Sequence, residues 1–339
     1  MSRLRVGIVG AGVMGHHYAK ALREYERAEV AAVCDLRREA ARVLAGECTA
    51  QAYGSVAEML AGEGLEAVVV ATPDFAHREP VAACLQAGKA VLCEKPLATT
   101  EEDAAAIAEA VEGAGRPFMV NFGNRHRPTA VRLREAVRAG RVGAPQYVYV
   151  RLNERLSKTL TIPWLARTSP VWFLMSHSAD LVGWLLDDEF AEVTARAAYG
   201  AVAHTAPGVP DLSVSLATLA SGCRVVLETA WNLPEGFAPN IDFFVQVIGD
   251  AGCIQADLVP HDLNVYDSSA MALDHSFDVT GPRGYGAGWW QESVRYFVDG
   301  VLDGKPLRPT VHEAAQVTRT LLAVQESAET GGSVRCRLS

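Results

Sequence analysis

The first third of the chain alternates short apolar runs with longer helical patterns, and this alternation constrains the fold more than any other feature. Continuous Val, Ile and Ala runs predict strands at 4–10, 30–35, 65–73 and 90–96, and RPFMVNF predicts another at 116–122. Helical patterns lie between them, at about 13–26, 37–45, 74–87 and 100–114. Strands that are apolar throughout are typical of a parallel sheet covered on both faces. The pattern therefore predicts a doubly wound α/β domain with right-handed crossovers.

The pattern changes after residue 124. A predicted helix at 129–139 leads into QYVYVRLNER, and LSVSLATL, CRVVLETAW, NIDFFVQVIG and CIQADL follow as strands. Several of them alternate, which is typical of a mostly antiparallel sheet with two unlike faces. Two helices close the chain, and the second begins with a capping box formed by Thr310 and Glu313. We therefore expect an α/β domain at 1–124 and an α+β domain with an open, mostly antiparallel sheet at 125–339.

The composition limits the partners. The formal net charge of −9 disfavours nucleic acid and anionic membranes, since both attract basic surfaces. The seven cysteines show neither metal-ligand spacing nor a disulfide framework, which favours reduced thiols in a cytoplasm. No apolar run approaches the roughly eighteen residues of a membrane helix. The expected partner is a small molecule, with no metal.

A glycine motif follows the first predicted strand. GIVGAGVMGHH contains G-x-G-x-x-G as Gly10, Gly12 and Gly15, placed where a strand ends and a helix begins. In such a turn Gly10 permits the tight bend, Gly12 lets backbone approach a pyrophosphate, and Gly15 allows close helix–strand packing. The helix N-terminus favours a phosphate electrostatically. The motif therefore predicts dinucleotide binding; the alternative is an ordinary glycine-rich turn.

An acidic residue ends the second predicted strand. Asp35 lies twenty positions after Gly15, where a carboxylate can bond the adenosine ribose diol and repel the 2′-phosphate of NADP. This favours NAD. Arg37 and Arg38 follow directly and can bind that phosphate if the loop shifts, so NADP stays open; otherwise they are solvated residues of the next helix. The residues predicted to contact the dinucleotide here are Gly10, Gly12, Val13, Met14, Gly15, Asp35, Leu36 and Arg37.

Two later strand ends are expected to face the same ligand. Ligands of doubly wound sheets bind at the carboxyl ends of the strands, and Thr72-Pro73 and Glu94-Lys95-Pro96 lie at two of these ends. Pro96 biases Lys95 toward extended backbone. An oxidised nicotinamide beside Lys95 would lower the pKa of its amine, and Glu94 would act in the opposite direction.

The segment TPDFAHREPVAACLQAGKAVLCEKPLA at 72–98 resembles the Gfo/Idh/MocA family of NAD(P)-dependent oxidoreductases, which includes glucose–fructose oxidoreductase and inositol 2-dehydrogenase. The resemblance extends to the glycine motif, NFGNRHRP and YFVDGVLDGKPLRPTVHEA. It implies a Rossmann domain followed by a domain whose open sheet often makes dimers or tetramers. It also implies a cis peptide bond before Pro96 and places Lys95 at the substrate, beside the nicotinamide. The strand ends and the resemblance add the predicted cofactor contacts Thr72, Pro73, His77, Glu94, Lys95 and Asn121.

A histidine in the second domain is the candidate acid/base. Oxidising an alcohol removes the hydroxyl proton, so a group that titrates near neutrality should lie within hydrogen-bond reach. In the helical segment VWFLMSHSADLVGWLL, His177 shares a face with Asp180, three positions later. The alternative is a histidine packed against the core, with Asp180 as a solvated partner.

The resemblance also concerns this helix. Relatives that oxidise sugars or cyclitols typically carry D-x-x-x-H-x-x-D here, and the first acid falls on Phe173, which cannot titrate. The predicted catalytic residues are therefore Lys95 and His177 alone. Arg125 is predicted to bind substrate or cofactor, or else to brace the link between domains, and Trp164 to contact substrate or fill an interface. The predicted substrate-binding residues are Lys95, Arg125, Trp164, Phe173, His177 and Asp180.

These predictions together favour an NAD(P)-dependent oxidoreductase that interconverts a secondary alcohol and a ketone on a sugar, cyclitol or related polyol. The homo-oligomer that the resemblance implies would form through the second sheet. Two other functions stay open. One is a glycosidase that oxidises its substrate transiently with tightly held NAD; the other is a dinucleotide-binding sensor without catalysis, which Phe173 favours and Lys95 and His177 disfavour.

Overall fold

The first sheet consists of short apolar strands covered on both faces. In the computed structural model, which describes residues 3–62, 64–237, 241–259, 263–265, 271–273 and 288–337, β4 (Ala67–Val70) and β5 (Ala90–Cys93) are buried at every position. The other strands of this sheet are β1 (Leu4–Val9), β2 (Ala28–Cys34), β3 (Gln51–Tyr53) and β6 (Phe118–Val120). All pairs are parallel, in the order β3-β2-β1-β4-β5-β6. This is the strand order of a Rossmann domain, and it confirms the predicted fold class.

Helices connect these strands. They are α1 (Val13–Arg23), α2 (Arg38–Cys48), α3 (Val56–Gly62), α4 (Arg78–Gln86) and α5 (Glu101–Ala114), and a 3₁₀ turn at Asp74–Ala76 precedes α4. The predicted helix at 74–87 is thus a 3₁₀ turn followed by a helix. The sequence prediction did not locate β3 and α3. β3 has three residues, two of them exposed, and therefore lacks the apolar run by which the other strands were identified.

The second sheet is mixed and mostly antiparallel, in the order β12-β11-β7-β10-β9-β8-β15. Only β7 and β10 pair in parallel among its described strands. Its members are β7 (Pro145–Arg155), β8 (Phe190–Ala198), β9 (Leu212–Leu219), β10 (Arg224–Leu233), β11 (Ile241–Gly249), β12 (Cys253–Asp257) and β15 (Ser333–Arg335), and β13 (Leu263–Val265) and β14 (Met271–Leu273) form a separate pair.

The remaining helices are α6 (Pro128–Arg138), α7 (Leu156–Thr159), α8 (Ser176–Leu186), α9 (Ala201–Thr205), α10 (Trp289–Asp303) and α11 (Val311–Thr330). The capping box of α11 is present as predicted: the Thr310 N–H donates to Glu313 Oε2 at 2.8 Å, and the Glu313 N–H donates to Thr310 Oγ1 at 3.3 Å. No helix within the described ranges is long and apolar enough to cross a membrane.

The described residues form two compact units. The first contains the residues up to Gly123 and those from 288 to 315; the second contains those from Asn124 to 273 and from 316 onward. The predicted division at 124/125 did not anticipate that 288–315 belong with the first unit. The reason is packing of α10 on α1, where the Trp290 ring lies 4.7 Å from the Tyr18 ring and the Tyr25 hydroxyl donates to Asp299 at 2.6 Å.

One strand shows which face of the second sheet is covered. In β9, Ser213 and Ser215 are fully buried, whereas Val214 and Leu216 are 39% and 55% exposed. In this strand the covered face thus carries the small residues and the open face the larger apolar ones. Met175 just before α8 accounts for part of this cover, since its Sδ atom lies 3.9 Å from Ser215 Oγ.

Candidate active site

The glycine turn after β1 has the shape that a pyrophosphate needs. Gly10 has φ +102°, which L side chains rarely adopt, and a Cβ atom there would lie 2.5 Å from the Ala71 carbonyl oxygen. A Cβ on Gly15 would overlap the Gly10 carbonyl oxygen, so α1 can pack this closely only with glycine. Around Gly12, in contrast, a Cβ would meet no described atom within 4 Å. The turn is therefore rigid on its inner side and open on the side where backbone can approach a phosphate.

The Asp35 carboxylate is fixed beside this turn. Its Oδ2 accepts the Ala11 N–H and its Oδ1 accepts the Arg37 N–H, both at 2.8 Å. The side chain is 13% exposed and Arg37 lies 3.6 Å away, with its own side chain 76% exposed. Val13 and Leu36 are among the most exposed apolar side chains, and Met14 is half-buried. The end of β2 thus presents a preorganised acid, an exposed guanidinium and apolar surface, which suits a ribose and its adenine.

The segment after β5 is held by a buried polar network on its upstream side. Glu94 is 5% exposed; its carboxylate accepts the Tyr18 hydroxyl at 2.5 Å and the Lys95 N–H at 3.1 Å. Asn121 donates to the Tyr18 oxygen at 2.6 Å and accepts from the Ser293 hydroxyl at 2.8 Å. Burial and the neighbouring Glu94 carboxylate raise the pKa of Tyr18 well above its usual value. Glu94 and Asn121 were predicted to contact the cofactor. The hydrogen bonds described for them are made with other residues of the protein.

Lys95 is half-buried, and its peptide bond to Pro96 is cis, as the resemblance implied. The residues that follow Lys95 contact His77, which is 1% exposed. Nδ1 lies 2.9 Å from the Pro96 carbonyl oxygen, and Nε2 lies 3.1 Å from that of Thr72. The Thr72 hydroxyl donates to the Ala76 carbonyl at 3.0 Å. His77 was predicted to contact the cofactor. Its described contacts are instead with backbone carbonyl groups, and it exposes very little surface to a ligand.

In the second unit, His177 lies in the first turn of α8, directly after a π-helical stretch at Val171–Met175. His177 and Phe173 are both half-buried. The Phe173 ring packs edge-on against Trp231, with ring centroids 5.8 Å apart, and Trp231 is fully buried. Since Phe173 precedes His177 by four positions, the two side chains lie on neighbouring parts of one helix face. This face therefore combines a titratable ring with an aromatic one.

Asp180 has a buried cationic partner. Arg125 Nη2 donates to Asp180 Oδ1 at 2.7 Å and Arg125 Nε donates to Oδ2 at 3.1 Å, with both side chains 6% exposed or less. The alternative of a solvated Asp180 is thus wrong. Burial of the neighbouring His126, together with a smaller effect of the Arg125 guanidinium, lowers the pKa of that histidine to about 4. Such a paired buried carboxylate fixes α8 against the segment that carries Arg125.

Trp164 completes the predicted set. It is half-buried, and its indole N–H is buried without a hydrogen-bond partner among the described residues. Within those ranges, no group of three or more His, Cys, Asp or Glu side chains could hold a metal ion. The structure thus brings the predicted cofactor residues and Lys95 together in the first unit, and Arg125, Phe173, His177 and Asp180 in the second. Sequence reasoning missed Tyr18 and Ser293, because neither lies in a motif.

Comparisons with known proteins agree with this geometry. Residues 4–122 match the family described as "Oxidoreductase family, NAD-binding Rossmann fold", and residues 130–255 match the GFO/IDH/MocA C-terminal domain. A protein named inositol 2-dehydrogenase from Cereibacter sphaeroides is 35% identical over 255 residues, which are 74% of this chain and 72% of that protein.

Solved structures share the fold over the whole length. That of myo-inositol 2-dehydrogenase from Lactobacillus plantarum has a TM-score of 0.88 at 19% identity, covering 99% of this chain and 100% of that one. That of GenD2 from gentamicin A biosynthesis, in complex with NAD, has a TM-score of 0.84 at 27% identity, covering 100% and 97%. The chain belongs to the Gfo/Idh/MocA family, as its motifs indicated. It is an NAD-dependent oxidoreductase that acts on CH–OH groups.

Proposed function

We propose that the protein interconverts a secondary alcohol and a ketone on a polyol of the cyclitol or sugar class. The observation that carries this proposal is the position of Lys95. It lies two positions after β5, in the sheet whose β1–α1 turn is open at Gly12 and whose β2 is followed directly by Asp35. The name of the Cereibacter sphaeroides relative, inositol 2-dehydrogenase, supports a polyhydroxylated substrate.

The division of work follows from the chemistry. When bound, NAD supplies the hydride acceptor or donor at its nicotinamide C4. The protein must bind the polyol, orient its carbinol and handle the hydroxyl proton. We assign the proton to His177 as general base in oxidation and general acid in reduction, and give Lys95 the hydrogen bond to the reacting oxygen. The buried Arg125–Asp180 pair supports α8, and the Trp164 N–H offers a donor for a further hydroxyl.

Turnover tests this assignment. The protein is incubated with NAD or NADP and a panel of polyols and ketosugars, and both the absorbance at 340 nm and the products are followed. Lys95→Ala and His177→Asn should each lower kcat by roughly a hundredfold to ten-thousandfold. Lys158→Ala and His204→Asn, which change exposed residues of the same types, should not.

Three outcomes would contradict the proposal. If both site variants keep near-normal rates, the assigned residues are wrong. Cleavage of a glycosidic bond without net NADH formation would identify a glycosidase that oxidises its substrate transiently. Tight NAD binding without turnover of any compound in the panel would identify a sensor.

We also propose a homodimer or homotetramer that forms through the open face of the second sheet. The exposed apolar side chains Val214 and Leu216 on that face support it, since such surface is stabilised when another copy covers it. The seven cysteines are free thiols, which supports a reducing, cytoplasmic location.

A further inference from the structure

We propose that His77 is a positioning residue, which sets the place of Lys95 without touching cofactor or substrate. The role of Lys95 rests on the proposed function. The geometry around His77 does not, because every contact that defines it lies within the first unit.

The imidazole of His77 joins two strand-end segments. Nδ1 lies 2.9 Å from the Pro96 carbonyl oxygen and 3.2 Å from that of Leu97, in the segment after β5. Nε2 lies 3.1 Å from the Thr72 carbonyl oxygen, in the segment after β4. Pro96 is the residue next to Lys95. One buried ring therefore fills the space between the end of β4 and the residue that follows the lysine.

Lys95 is anchored on its other side as well. Its own N–H donates to Glu94 Oε2 at 3.1 Å, and the Tyr18 hydroxyl donates to Oε1 of the same carboxylate at 2.5 Å. The backbone of Lys95 is thus anchored by Glu94 before it and, after it, by the contact of Pro96 with His77. The Cα atom of Lys95 therefore lies between two anchored backbone segments.

The energetics favour a positioning role. A neutral imidazole carries one N–H, and the proposal places it on Nδ1, where it donates to the Pro96 carbonyl; without this donor a buried carbonyl oxygen is left unsatisfied. A displacement of about 1 Å at a reacting group can lower a rate by roughly a hundredfold. Loss of His77 should therefore affect the chemical step through Lys95, while the glycine turn and Asp35 continue to bind NAD.

Side-chain geometry provides a sharp set of variants. The amide nitrogen of Asn occupies roughly the place of Nδ1 in His, and that of Gln roughly the place of Nε2. His77→Asn thus keeps a donor for the Pro96 and Leu97 carbonyls, His77→Gln keeps one for Thr72 only, and His77→Ala keeps neither. Glu79→Gln, at an exposed position in the first turn of α4, is the control.

Three measurements test the proposal: kcat and KM with the best polyol, the NAD dissociation constant from tryptophan fluorescence, and the pH dependence of Lys95 modification. The last uses an amine reagent and mass spectrometry on cofactor-free protein. We expect His77→Ala to lower kcat about tenfold to a hundredfold, to keep NAD affinity within about twofold and to shift the Lys95 labelling profile. His77→Asn should restore both kcat and the profile better than His77→Gln.

Several results would overturn the proposal. A loss of NAD affinity in parallel with kcat would make His77 a cofactor contact. An unchanged labelling profile in His77→Ala, or equal rescue by Asn and Gln, would leave Lys95 independent of His77. If none of the three variants folds, as thermal melting would reveal, the role of His77 is structural and the proposal fails. Labelling and NAD binding need no substrate, so they decide the matter even if no polyol in the panel is turned over.

Discussion

At the scale of single residues, Asp35 is fixed before the cofactor arrives. Because its two oxygens accept the Ala11 and Arg37 N–H groups, the carboxylate does not need to be ordered on binding. Removing its charge in Asp35→Asn should weaken NAD binding by roughly ten- to a hundredfold, the usual value of a hydrogen bond to a charged group. It should also lower the preference for NAD over NADP, since the repulsion of the 2′-phosphate is lost.

Dissociation constants of both dinucleotides, measured by fluorescence titration, check this prediction. Glu39→Gln, at an exposed acid in the first turn of α2, serves as the control and should alter neither constant. An unchanged ratio of the two constants in Asp35→Asn would mean that this carboxylate does not select the cofactor.

The buried His126 is expected to lower the stability of the fold at acidic pH. Burial, with a smaller effect of Arg125, lowers its folded-state pKa to about 4, whereas the unfolded value is about 6.5. Between these values the unfolded chain binds the proton and the folded chain does not, so acidification through this window destabilises the fold. The shift corresponds to at most about 3 kcal/mol, reached near pH 4. Urea unfolding at pH 7 and pH 4.5 should show a smaller loss of stability in His126→Asn than in the native protein. Equal losses would contradict it.

Residue-level prediction depends on signals that are local in sequence. Gly10, Gly12, Gly15 and Asp35 were predicted as dinucleotide contacts because their spacing is set by one turn and one strand. The network around Glu94 was not, because Tyr18 lies 76 positions from it. Ser293 is 172 positions from Asn121, its partner, and hydrogen bonds over such separations leave no periodic signal.

At the scale of elements, the capping box of α11 should contribute measurably to stability. Two N–H groups at the helix start are satisfied reciprocally by Thr310 and Glu313. Thr310→Ala should lower the free energy of unfolding by about 1 kcal/mol, and the double variant with Glu313→Ala by less than the sum of the single losses. Thr330→Ala, at the other end of α11, should cost less because its hydroxyl bonds a helical carbonyl. Strictly additive losses in urea titrations would show that the two side chains act independently.

The presence of a strand was easier to predict than which of its two faces is buried. Alternation in β9 separates its serines from its larger apolar residues but does not state which set is buried. Hydrophobicity alone favours burial of Val214 and Leu216, and the structure shows the opposite. The helix side covers small residues, as the approach of Met175 to Ser215 illustrates, and which face a helix covers is a tertiary property.

At the scale of the whole molecule, the predicted division into two contiguous domains failed for one segment. Residues 288–315 read as part of the second domain because they follow it in sequence, yet α10 packs on α1 of the first unit. The apolar face of α10 was visible in its periodicity, but its partner was not. An amphipathic pattern predicts that a helix packs on another surface, but it does not identify that surface.

The last prediction concerns self-association of the chain through the open face of the second sheet. If copies of the chain pair there about a twofold axis, each contributes the same residues, so a single substitution introduces two like charges into one interface. Leu216→Asp should therefore shift the protein toward smaller species in multi-angle light scattering and weaken association at least tenfold. Leu160→Asp, at an apolar residue of similar exposure outside the sheet, should not. A native protein that is monomeric at micromolar concentration, or dissociation by Leu160→Asp alone, would mean that the exposed apolar residues of β9 have another role.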